Sequence, residues 1–534
     1  MRICLYLDRS RTFRWHLWVA EALTALPGTK VVAAFAPGIS PLPPSCSLLL
    51  DLERLVYGLD REHALEPMQA EVEHQFGVLD YRSVDADLII DFSDDSPPPS
   101  SHRLLTPLFN GRAGELGLMM ALTGSEPILV ELIDSCRPGS AWWERPASVD
   151  REVLGKSMDG ILSATARLLL SAVERGGAPH PSVKCVSQAV SPQLPTGGAV
   201  TASWSFAARS FIHKVTRRLT DLALGDRKWM VAWRPGGCAQ LLNRARLGYS
   251  IVPDDRRRYF ADPFPFSHNG REFIFVEEFP YATGRGCISV LEVKPGGQTT
   301  SLGIVLEEPF HLSYPFVFEL GGDIWMIPEA GEGRGVYLYR ATQFPFKWER
   351  SACLISGINA YDATLLRHDD RYWLFLCERA WHSSGWDMLS LYHARDLFGD
   401  WTRHICNPVI IDATLCRPGG AMFIYNGTLV RPAQNCSGLY GGSIELCRID
   451  NLSEDTFSQT VVGHINAGAF GCHTYNASAG LEVIDVFGRP PGRGQIEASF
   501  IPISADVLRP YRSADANVQP PPSKAMDLPT TPAL

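Results

Sequence analysis

The chain has 534 residues and a formal net charge of −9, with 45% hydrophobic and 20% charged residues. One hydrophobic core rarely holds a chain of this length, so we expect two or three domains in a globular protein. The acidic balance argues against a general nucleic-acid binder, because phosphate affinity comes mainly from clustered Lys and Arg.

The N-terminus has no signal-peptide pattern, and no run of about 18 apolar residues occurs in the chain. We therefore expect a cytoplasmic protein without a transmembrane segment. The 13 cysteines show no CxxC pair and no Cys/His cluster at zinc-ligand spacing, which predicts free thiols, no metal site and no cofactor.

Strand-like and helical patterns alternate through residues 1–175. Apolar strand-like runs lie at 3–7, 31–35, 86–92 and 127–133, and the last helical pattern covers 152–174. Strands that alternate with helices indicate a parallel α/β sheet of the Rossmann type. Residues 1–175 are therefore predicted to form an α/β domain.

Residues 176–225 are predicted to be a linker followed by a helix over 206–224. The periodicity of this helix predicts an inward apolar face of Phe211, Ile212, Val215 and Leu219. A basic cluster of Lys214, Arg217 and Arg218 is expected to be a solvated outer face, and the alternative is that it binds an anionic ligand or a membrane. At the other end of the chain, the polar, Pro-rich residues 506–534 are predicted to be disordered.

A repeat of about fifty residues fills the region 226–505, as is typical of propeller blades. Each unit is an opening strand, a hairpin turn and a second, alternating strand. The five openings are at Asp262, Tyr314, Asp362, Arg417 and His473. Five units predict an all-β, five-bladed β-propeller, and the strand at 228–233 is expected to pair with the last blade and close the ring.

The inner strand of each propeller blade lines the channel, so the five openings are predicted to surround one mouth. Two carboxylates there fit glycosyl chemistry, in which one acts as base or nucleophile and another protonates the leaving oxygen. The catalytic candidates are Asp262, Asp362, Glu329 and Glu378. The substrate-binding candidates are His311, Tyr314, Arg417, Arg431, Gln434, Tyr440 and His473. The alternative is that the carboxylates only cap turns or pair with Arg417 and Arg431.

Several motifs of this region resemble a known family when taken in order. They are ADPFPF, EEPFHLSYPFVFEL, DATLLRHDDRYWLF, RPGGAMFIYNGTLVRPAQ and GCHTYN. Together, over residues 226–490, they look like the propeller domain of plant glucosamine inositolphosphorylceramide transferases. More distantly, they resemble the five-bladed furanosidase, invertase and levansucrase superfamily. That resemblance implies a base or nucleophile at Asp262 and a transition-state-stabilising role for Asp362.

The resemblance departs at blade four, where Arg417 stands in place of the superfamily's acidic Glu. Either another glutamate serves as the acid or the propeller binds sugars without cleaving them. In the plant proteins, a separate C-terminal domain carries glycosyl transfer.

The first domain is similar to formyltransferase domains that use a formyl-folate donor, on the motif LFNGRAGELGLMMALTGSEPILVELI. Asn110 is followed by Gly-Arg where that family has Asn-x-His, and Asp134 is a remnant of its Asp. The resemblance therefore implies a degenerate formyltransferase-like domain.

The sequence thus predicts a carbohydrate-active protein that performs glycosyl transfer or hydrolysis in surface glycan or glycolipid metabolism. Its expected partner is a saccharide or glycolipid substrate and not a nucleic acid. Two alternatives remain: a non-catalytic glycan-binding module, and a formyltransferase that acts on an amino sugar.

Overall fold

The computed structural model describes residues 1–503 with gaps. The gaps are residues 59–62, 81, 83, 94–101, 125–126, 138–140, 147–152, 176–195, 238–241, 243–246, 254, 380–383, 426, 438–439 and 493. Most of the predicted linker and the predicted Pro-rich tail lie outside the described residues.

The first part of the chain alternates strands and helices. Its strands are β1 (Arg2–Leu7), β2 (Lys30–Phe35), β3 (Gly77–Leu79), β4 (Leu88–Asp91), β5 (Arg103–Phe109), β6 (Arg112–Ala113), β7 (Val130–Asp134) and β8 (Ala141–Glu144). Its helices are α1 (Arg14–Thr24), α2 (Pro44–Tyr57), α3 (Gln69–Gln75), α4 (Gly114–Thr123) and α5 (Leu154–Glu174).

These eight strands form one sheet in the order β3-β2-β1-β4-β5-β7-β8, with β6 paired to β5. The neighbours from β3 to β5 are parallel, and β7 and β8 add antiparallel strands at one edge. β1 is buried at five of its six positions, as expected for a parallel strand covered on both faces. The assignments of this domain to the Rossmann type and to the formyltransferases stay predictions.

A long helix, α6 (Thr196–Leu224), precedes the second part of the chain. The strands that follow are β9 (Lys228–Pro235), β10 (Leu247–Ile251), β11 (Arg258–His268), β12 (Arg271–Pro280), β13 (Cys287–Val293), β14 (Thr299–Leu306), β15 (Ser313–Leu320), β16 (Asp323–Glu329), β17 (Gly335–Gln343), β18 (Lys347–Ser356), β19 (Ala360–His368), β20 (Arg371–Glu378), β21 (Met388–Ala394), β22 (Thr402–Arg403), β23 (Ile410–Ile411), β24 (Phe423–Tyr425), β25 (Thr428–Asn435), β26 (Ser443–Leu452), β27 (Phe457–Asn466), β28 (Tyr475–Ala477), β29 (Leu481–Gly488) and β30 (Gln495–Pro502).

The later strands build five blades of a β-propeller. Blades 1 to 4 are β11–β14, β15–β18, β19–β22 with β23 on β21, and β24–β27; blade 5 runs β28-β29-β9-β10. The inner strand β11 contacts the inner strands β15 and β28, and β15 contacts β19. These contacts bring the openings of separate blades together around one channel.

The ring closes with strands from both ends of the propeller region. β9 pairs with β29 in antiparallel register, from Lys228 opposite Gly488 to Pro235 opposite Leu481. This confirms the predicted closure. β30 then pairs with both β10 and β27, so that it joins the outer strands of blades 5 and 4. The closure covers backbone edges that would otherwise pair with another chain.

The first domain packs on blade 3 of the propeller and on the segment that leads from blade 3 to blade 4. The N–H of Arg145, next to β8, donates to the carbonyl of Ile411 at 3.3 Å, and the N–H of Ala413 donates back to the carbonyl of Arg145 at 2.7 Å. The guanidinium of Arg175, after α5, donates to the carbonyl of Cys406. Backbone and side-chain contacts therefore fix one domain against the other.

The predicted inward face of α6 is wrong. Its four apolar residues, Phe211, Ile212, Val215 and Leu219, are all exposed. The helix instead meets the core of the first domain through Phe206, near its beginning. A 3.6-residue period identifies an apolar stripe, but it does not say whether a partner covers that stripe. None of the helices in the described part of the chain is long and apolar enough to span a bilayer.

Candidate active site

The inner strands of blades 1, 2 and 3 carry the same irregularity at the channel mouth. Asp262, Tyr314 and Asp362 have φ values of 49°, 44° and 52°, in the left-handed region that non-glycine residues rarely adopt. At each of them, the inner strand has one residue more than its partner between two flanking pairs. Such a bulge interrupts the ladder and re-aims a side chain. The repeated bulge therefore places Asp262, Tyr314 and Asp362 in equivalent positions at the channel mouth.

The second strand of each blade adds a buried side chain beside the openings. In blades 1 to 3, the residue before the bulge pairs with Glu277, Glu329 or Cys377. Gln434 and Asp485 hold the corresponding positions in blades 4 and 5, where their N–H groups donate to the carbonyls of Arg417 and Thr474, which precede the inner strands β24 and β28. All five are buried. Glu329 and Gln434 were expected here, whereas Glu277 and Asp485 were missed although the repeat places them at the same position.

His473 lies between two buried carboxylates, and we call Asp262, His473 and Asp485 the histidine cluster. The imidazole Nδ1 is 2.5 Å from Asp485 Oδ2, and Nε2 is 3.5 Å from Asp262 Oδ1. Asp485 also accepts the N–H groups of His473 and Thr474, each at 2.9 Å, and that of Asp262 at 3.0 Å. Asp262 accepts the Thr474 hydroxyl at 2.8 Å and the Tyr314 N–H at 3.2 Å. The cluster therefore ties blade 5 to blades 1 and 2.

The histidine cluster raises the pKa values of both Asp262 and His473. Burial raises the pKa of Asp262 to about 7, against the opposing charge of His473. Burial lowers the pKa of His473, but the charges of Asp485 and Asp262 outweigh burial and raise that pKa to about 9. Near neutral pH, His473 is therefore a cation. Asp262 can gain or lose its proton in the pH range suited to a general base.

A second group, the arginine cluster, joins Asp362, Arg417, Glu329 and Gln434. Arg417 Nε donates to Asp362 Oδ2 at 2.5 Å, and its Nη2 donates to Asp362 Oδ1 at 3.2 Å and to Glu329 Oε2 at 3.0 Å. Gln434 Nε2 donates to Asp362 Oδ2 at 2.7 Å. Because both Asp362 oxygens accept from the guanidinium, this is the strong bidentate geometry.

The arginine cluster contains one carboxyl group that favours its protonated form. Burial raises the pKa of Glu329 well above its usual range; the charge of Asp362 adds to this rise and that of Arg417 opposes it. Burial alone would lower the pKa of Arg417, but Asp362 and its other partners raise that pKa well above its usual value. Arg417 therefore stays charged, and Glu329 can act as a proton donor.

Tyr314 connects the openings of the blades. Its hydroxyl shares a hydrogen bond of 2.8 Å with the Thr364 hydroxyl and accepts the N–H of Gly420 at 2.8 Å. Burial raises the pKa of Tyr314 well above its usual value, so the hydroxyl stays neutral. Tyr314 was predicted to bind substrate, whereas its polar atoms contact other residues of the mouth.

His311 pairs with Glu277 beside the histidine cluster. Its Nδ1 accepts the N–H of Gly286 at 3.0 Å, which assigns a proton to Nε2, 3.3 Å from Glu277 Oε1. Burial lowers the pKa of His311, but the hydrogen bond to Glu277 outweighs it and the net shift is upward. The His311 side chain is 31% exposed, so this pair can meet a ligand at the rim.

Aromatic rings cover part of the histidine cluster. Trp229 stacks on His473 with ring centroids 3.9 Å apart and planes 14° apart. Tyr440 approaches His473 edge-on at 5.3 Å, and Trp386 lies 4.7 Å from Tyr440. Aromatic rings beside a few polar groups are typical of small-molecule pockets. Trp229 was missed because it stands on the closing strand β9, before the first repeat.

Two predicted residues face away from the mouth. Glu378 accepts the Ser390 hydroxyl at 3.0 Å and lies 4.0 Å from Arg403. Arg431 donates to Gln459 Oε1 at 3.0 Å. Glu378 stands one residue after the mouth-facing position of β20, and Arg431 stands three before that of β25. Because side chains alternate along a strand, both lie on the opposite face.

Within the described part of the chain, the histidine cluster is also a group whose ligand atoms could hold a metal ion, since one atom from each residue lies within 4.8 Å of the others. The carboxylates of Asp262 and Asp485 already accept hydrogen bonds from N–H and O–H donors. The contacts fit a charge network better than a metal site, and the absence of a metal or cofactor stays a prediction.

In the first domain, the two residues singled out for formyl transfer have structural contacts. Asn110 accepts the N–H of Leu129 at 2.6 Å and donates to the carbonyl of Pro127 at 3.2 Å. Asp134 accepts from Arg103 at 2.7 Å. Formyl transfer stays a prediction; incubation with a formyl-folate donor and amino sugars tests it, and the absence of a formylated product would contradict it.

Residues 250–480 match the family model described as glucosamine inositolphosphorylceramide transferase 1, N-terminal. Over 208 residues, 38% of this chain, the sequence is 36% identical to glucosamine inositolphosphorylceramide transferase 1 of Oryza sativa subsp. japonica. It is 31% identical over 208 residues to the protein of that name from Arabidopsis thaliana. The match spans 28% and 27% of the length of these relatives.

Among solved structures, the chain is similar to an exo-β-1,3-galactanase from Clostridium thermocellum, at 14% identity and a TM-score of 0.31, over 40% of this chain and 52% of that one. It is also similar to a family 117 glycoside hydrolase from Zobellia galactanivorans, at 11% identity and a TM-score of 0.31, over 49% and 92%. The propeller assignment rests on the strand order described above.

Proposed function

We propose that the propeller mouth binds a saccharide and performs glycosyl transfer or hydrolysis in the metabolism of a surface glycan or glycolipid. The observation that carries this proposal is a pair of buried carboxyl groups, Asp262 and Glu329, held in different environments. The pKa of Asp262 is about 7 beside a cationic imidazole, whereas that of Glu329 is raised well above its usual range. Unequal environments of this kind separate the base from the acid in glycosidases. The family match over residues 250–480 supports a carbohydrate substrate.

In this mechanism, Asp262 removes a proton from an acceptor hydroxyl, either of water or of a second sugar. The new bond forms between that oxygen and the anomeric carbon, while the bond from the anomeric carbon to the leaving oxygen breaks. Glu329 gives its proton to the leaving oxygen. His473 stabilises the ionised form of Asp262, because the imidazolium lies 3.5 Å from the Asp262 carboxylate.

Glu329 serves as the general acid, because blade four has no glutamate for this role. Arg417 stands in blade four where that glutamate was expected, and it donates to Glu329 and Asp362. It positions the Glu329 carboxyl group and compensates the ionised Asp362. The acid thus comes from the second strand of blade 2, on the same repeat position as Glu277.

A non-catalytic glycan-binding role is the second candidate. The observation in its favour is that Asp362 accepts three hydrogen bonds from Arg417 and Gln434, and it is 1% exposed. In that case the carboxylates of the mouth would hold the site together and the aromatic rings would hold the sugar.

Asp262→Asn and Glu329→Gln distinguish the two candidates when turnover and saccharide affinity are both measured on the full chain. The substrates are aryl glycosides and nucleotide sugars. Catalysis predicts that each variant loses roughly 10²–10⁴-fold in turnover and keeps its affinity. Glu378→Gln is the matched control and should keep both. Affinity without turnover in the parent protein, lost in Asp262→Asn, favours the binding role; neither turnover nor affinity in the parent protein contradicts both candidates.

A further inference from the structure

Helix α6 displays an apolar stripe to solvent. Phe211, Val215, Leu219 and Leu222 are 67%, 42%, 62% and 77% exposed. Their spacing of four, four and three residues aligns them along one side of the helix. Ile212, next to this stripe, is 63% exposed. A row of large, exposed apolar side chains is typical of a surface that binds another protein or a membrane.

Helix α2 extends the same exposed surface. Its residues Leu48, Leu52 and Leu55 also follow helical spacing and are 53%, 41% and 81% exposed. The Lys214 ammonium of α6 lies 4.0 Å from the ring centroid of Tyr57, the last residue of α2. This contact joins the two helices, whose exposed apolar residues we call the docking face.

The α6 part of the docking face is basic although the chain is acidic, whereas α2 carries Asp51, Glu53 and Arg54. Residues 206–224 contain four Lys or Arg and one acidic residue, Asp221, in a chain of net charge −9. Lys214 and Arg218 precede Val215 and Leu219 directly, so their charges flank the apolar stripe. Asp221 accepts from Arg489 of the propeller at 2.7 Å. An apolar stripe with basic flanks is the pattern of helices that lie in the interfacial plane of a membrane.

We propose that the docking face binds the surface of a membrane that contains anionic lipids. The apolar side chains of α6 and α2 would enter the boundary between headgroups and acyl chains, and Lys214, Arg217 and Arg218 would face the anionic headgroups. A second copy of this chain fits the face less well, because its Lys and Arg would face like charges. The proposal is independent of the chemistry in the propeller mouth.

Co-sedimentation of the full chain with lipid vesicles tests the proposal. The vesicles are phosphatidylcholine alone and phosphatidylcholine with 30% phosphatidylglycerol, a fraction of roughly the size that gives a strongly negative surface. We expect binding to the anionic vesicles that weakens as salt is added. We expect Phe211→Ser with Leu219→Ser, and separately Lys214→Glu with Arg218→Glu, to reduce the partition coefficient by roughly tenfold or more.

Matched control variants lie on the propeller surface. Ile424→Ser removes an apolar residue that is 64% exposed, and Lys294→Glu with Lys347→Glu reverses two exposed charges. Both controls should bind vesicles like the parent protein. Circular dichroism and thermal unfolding check that every variant stays folded. No binding of the parent to anionic vesicles, or equal binding by both docking-face variants, overturns the proposal. The proposal is also overturned if the parent protein does not bind vesicles but forms a dimer, detected by analytical ultracentrifugation, that dissociates in the Phe211→Ser with Leu219→Ser variant.

Discussion

The two halves of the propeller mouth compensate the charge of their buried carboxylates with different cations. In the histidine cluster, Asp262 and Asp485 flank the imidazole of His473. In the arginine cluster, Asp362 and Glu329 share the guanidinium of Arg417. Each half thus holds two acids and one cation at comparable burial.

The difference lies in the cation. An arginine stays charged at any pH at which the protein is folded, whereas the pKa of His473 is about 9. The cation of the arginine cluster therefore keeps its charge, whereas the cation of the histidine cluster can lose its proton. In the proposed mechanism, the histidine side holds the base, Asp262, and the arginine side holds and positions the acid, Glu329.

The largest expected effect follows from Arg417→Met. Removal of the guanidinium leaves Asp362 and Glu329 buried without a cation, which we expect to cost about 3–5 kcal/mol of unfolding free energy. Denaturant unfolding of the full chain, followed by tryptophan fluorescence, measures this loss. Arg448→Met, at a partly exposed ion pair with Asp450, is the control and should cost about 1 kcal/mol or less. A similar loss in both variants would contradict a special role for the arginine cluster.

The second prediction concerns the pH dependence of stability through His473. Its folded-state pKa of about 9 exceeds the usual value of 6.5, so its contribution is complete below pH 6.5 and is lost as the pH rises through 9. We expect the parent protein to lose on the order of 1–3 kcal/mol between pH 7.5 and pH 9.5. His473→Gln should be less stable than the parent at pH 7.5 and show a flatter profile. Equal slopes in the two proteins would refute the charge change assigned to His473.

Tyr314→Phe tests the residue that connects the two clusters. The variant removes the acceptor of the Gly420 N–H and leaves that group buried without its partner, at an expected cost of about 1–2 kcal/mol. Thermal unfolding measures the change. Since the backbone N–H that donates to Asp262 is unaffected, the pH profile of the variant should match that of the parent, and a changed profile would show that the hydroxyl takes part in the titration.

The smallest effect is expected for Glu378→Gln. This side chain contacts Ser390 on the face of β20 that points away from the mouth, and a glutamine can keep this contact. We expect a loss of about 0.5 kcal/mol or less and unchanged turnover. A loss of turnover comparable to that of Glu329→Gln would mean that the assignment of the acid is wrong.

The sequence predicted the residues that open each repeat. Asp262, Asp362, Arg417 and His473 were expected at one mouth, and their side chains meet there through direct contacts. The spacing of the repeat was sufficient for this prediction, because equivalent positions of successive blades point to the same channel. Which of these side chains contact one another, by contrast, depends on distances between blades, and the spacing of the sequence repeat does not give those distances.

The residues that were missed or misplaced depend on alternation and closure. Glu277 and Asp485 stand where Glu329 and Gln434 stand in their blades, and a count of each second strand in steps of two would have found them. The same count would have placed Glu378 on the face of β20 that points away from the mouth. Trp229 could not be found in this way, since it reaches the mouth only because β9 pairs with the last blade. The exposed apolar stripe of α6 is a similar case in a helix, since the sequence period does not show whether another element covers the stripe.

A crystal structure of the full chain with a bound saccharide is the decisive test of glycosyl chemistry in the propeller mouth. We expect a sugar ring at the mouth, against Trp229 or Tyr440, with Asp262 and Glu329 within hydrogen-bond distance of the oxygens at the anomeric carbon. A saccharide bound outside the mouth, or one in the mouth that contacts neither carboxyl group, would contradict it.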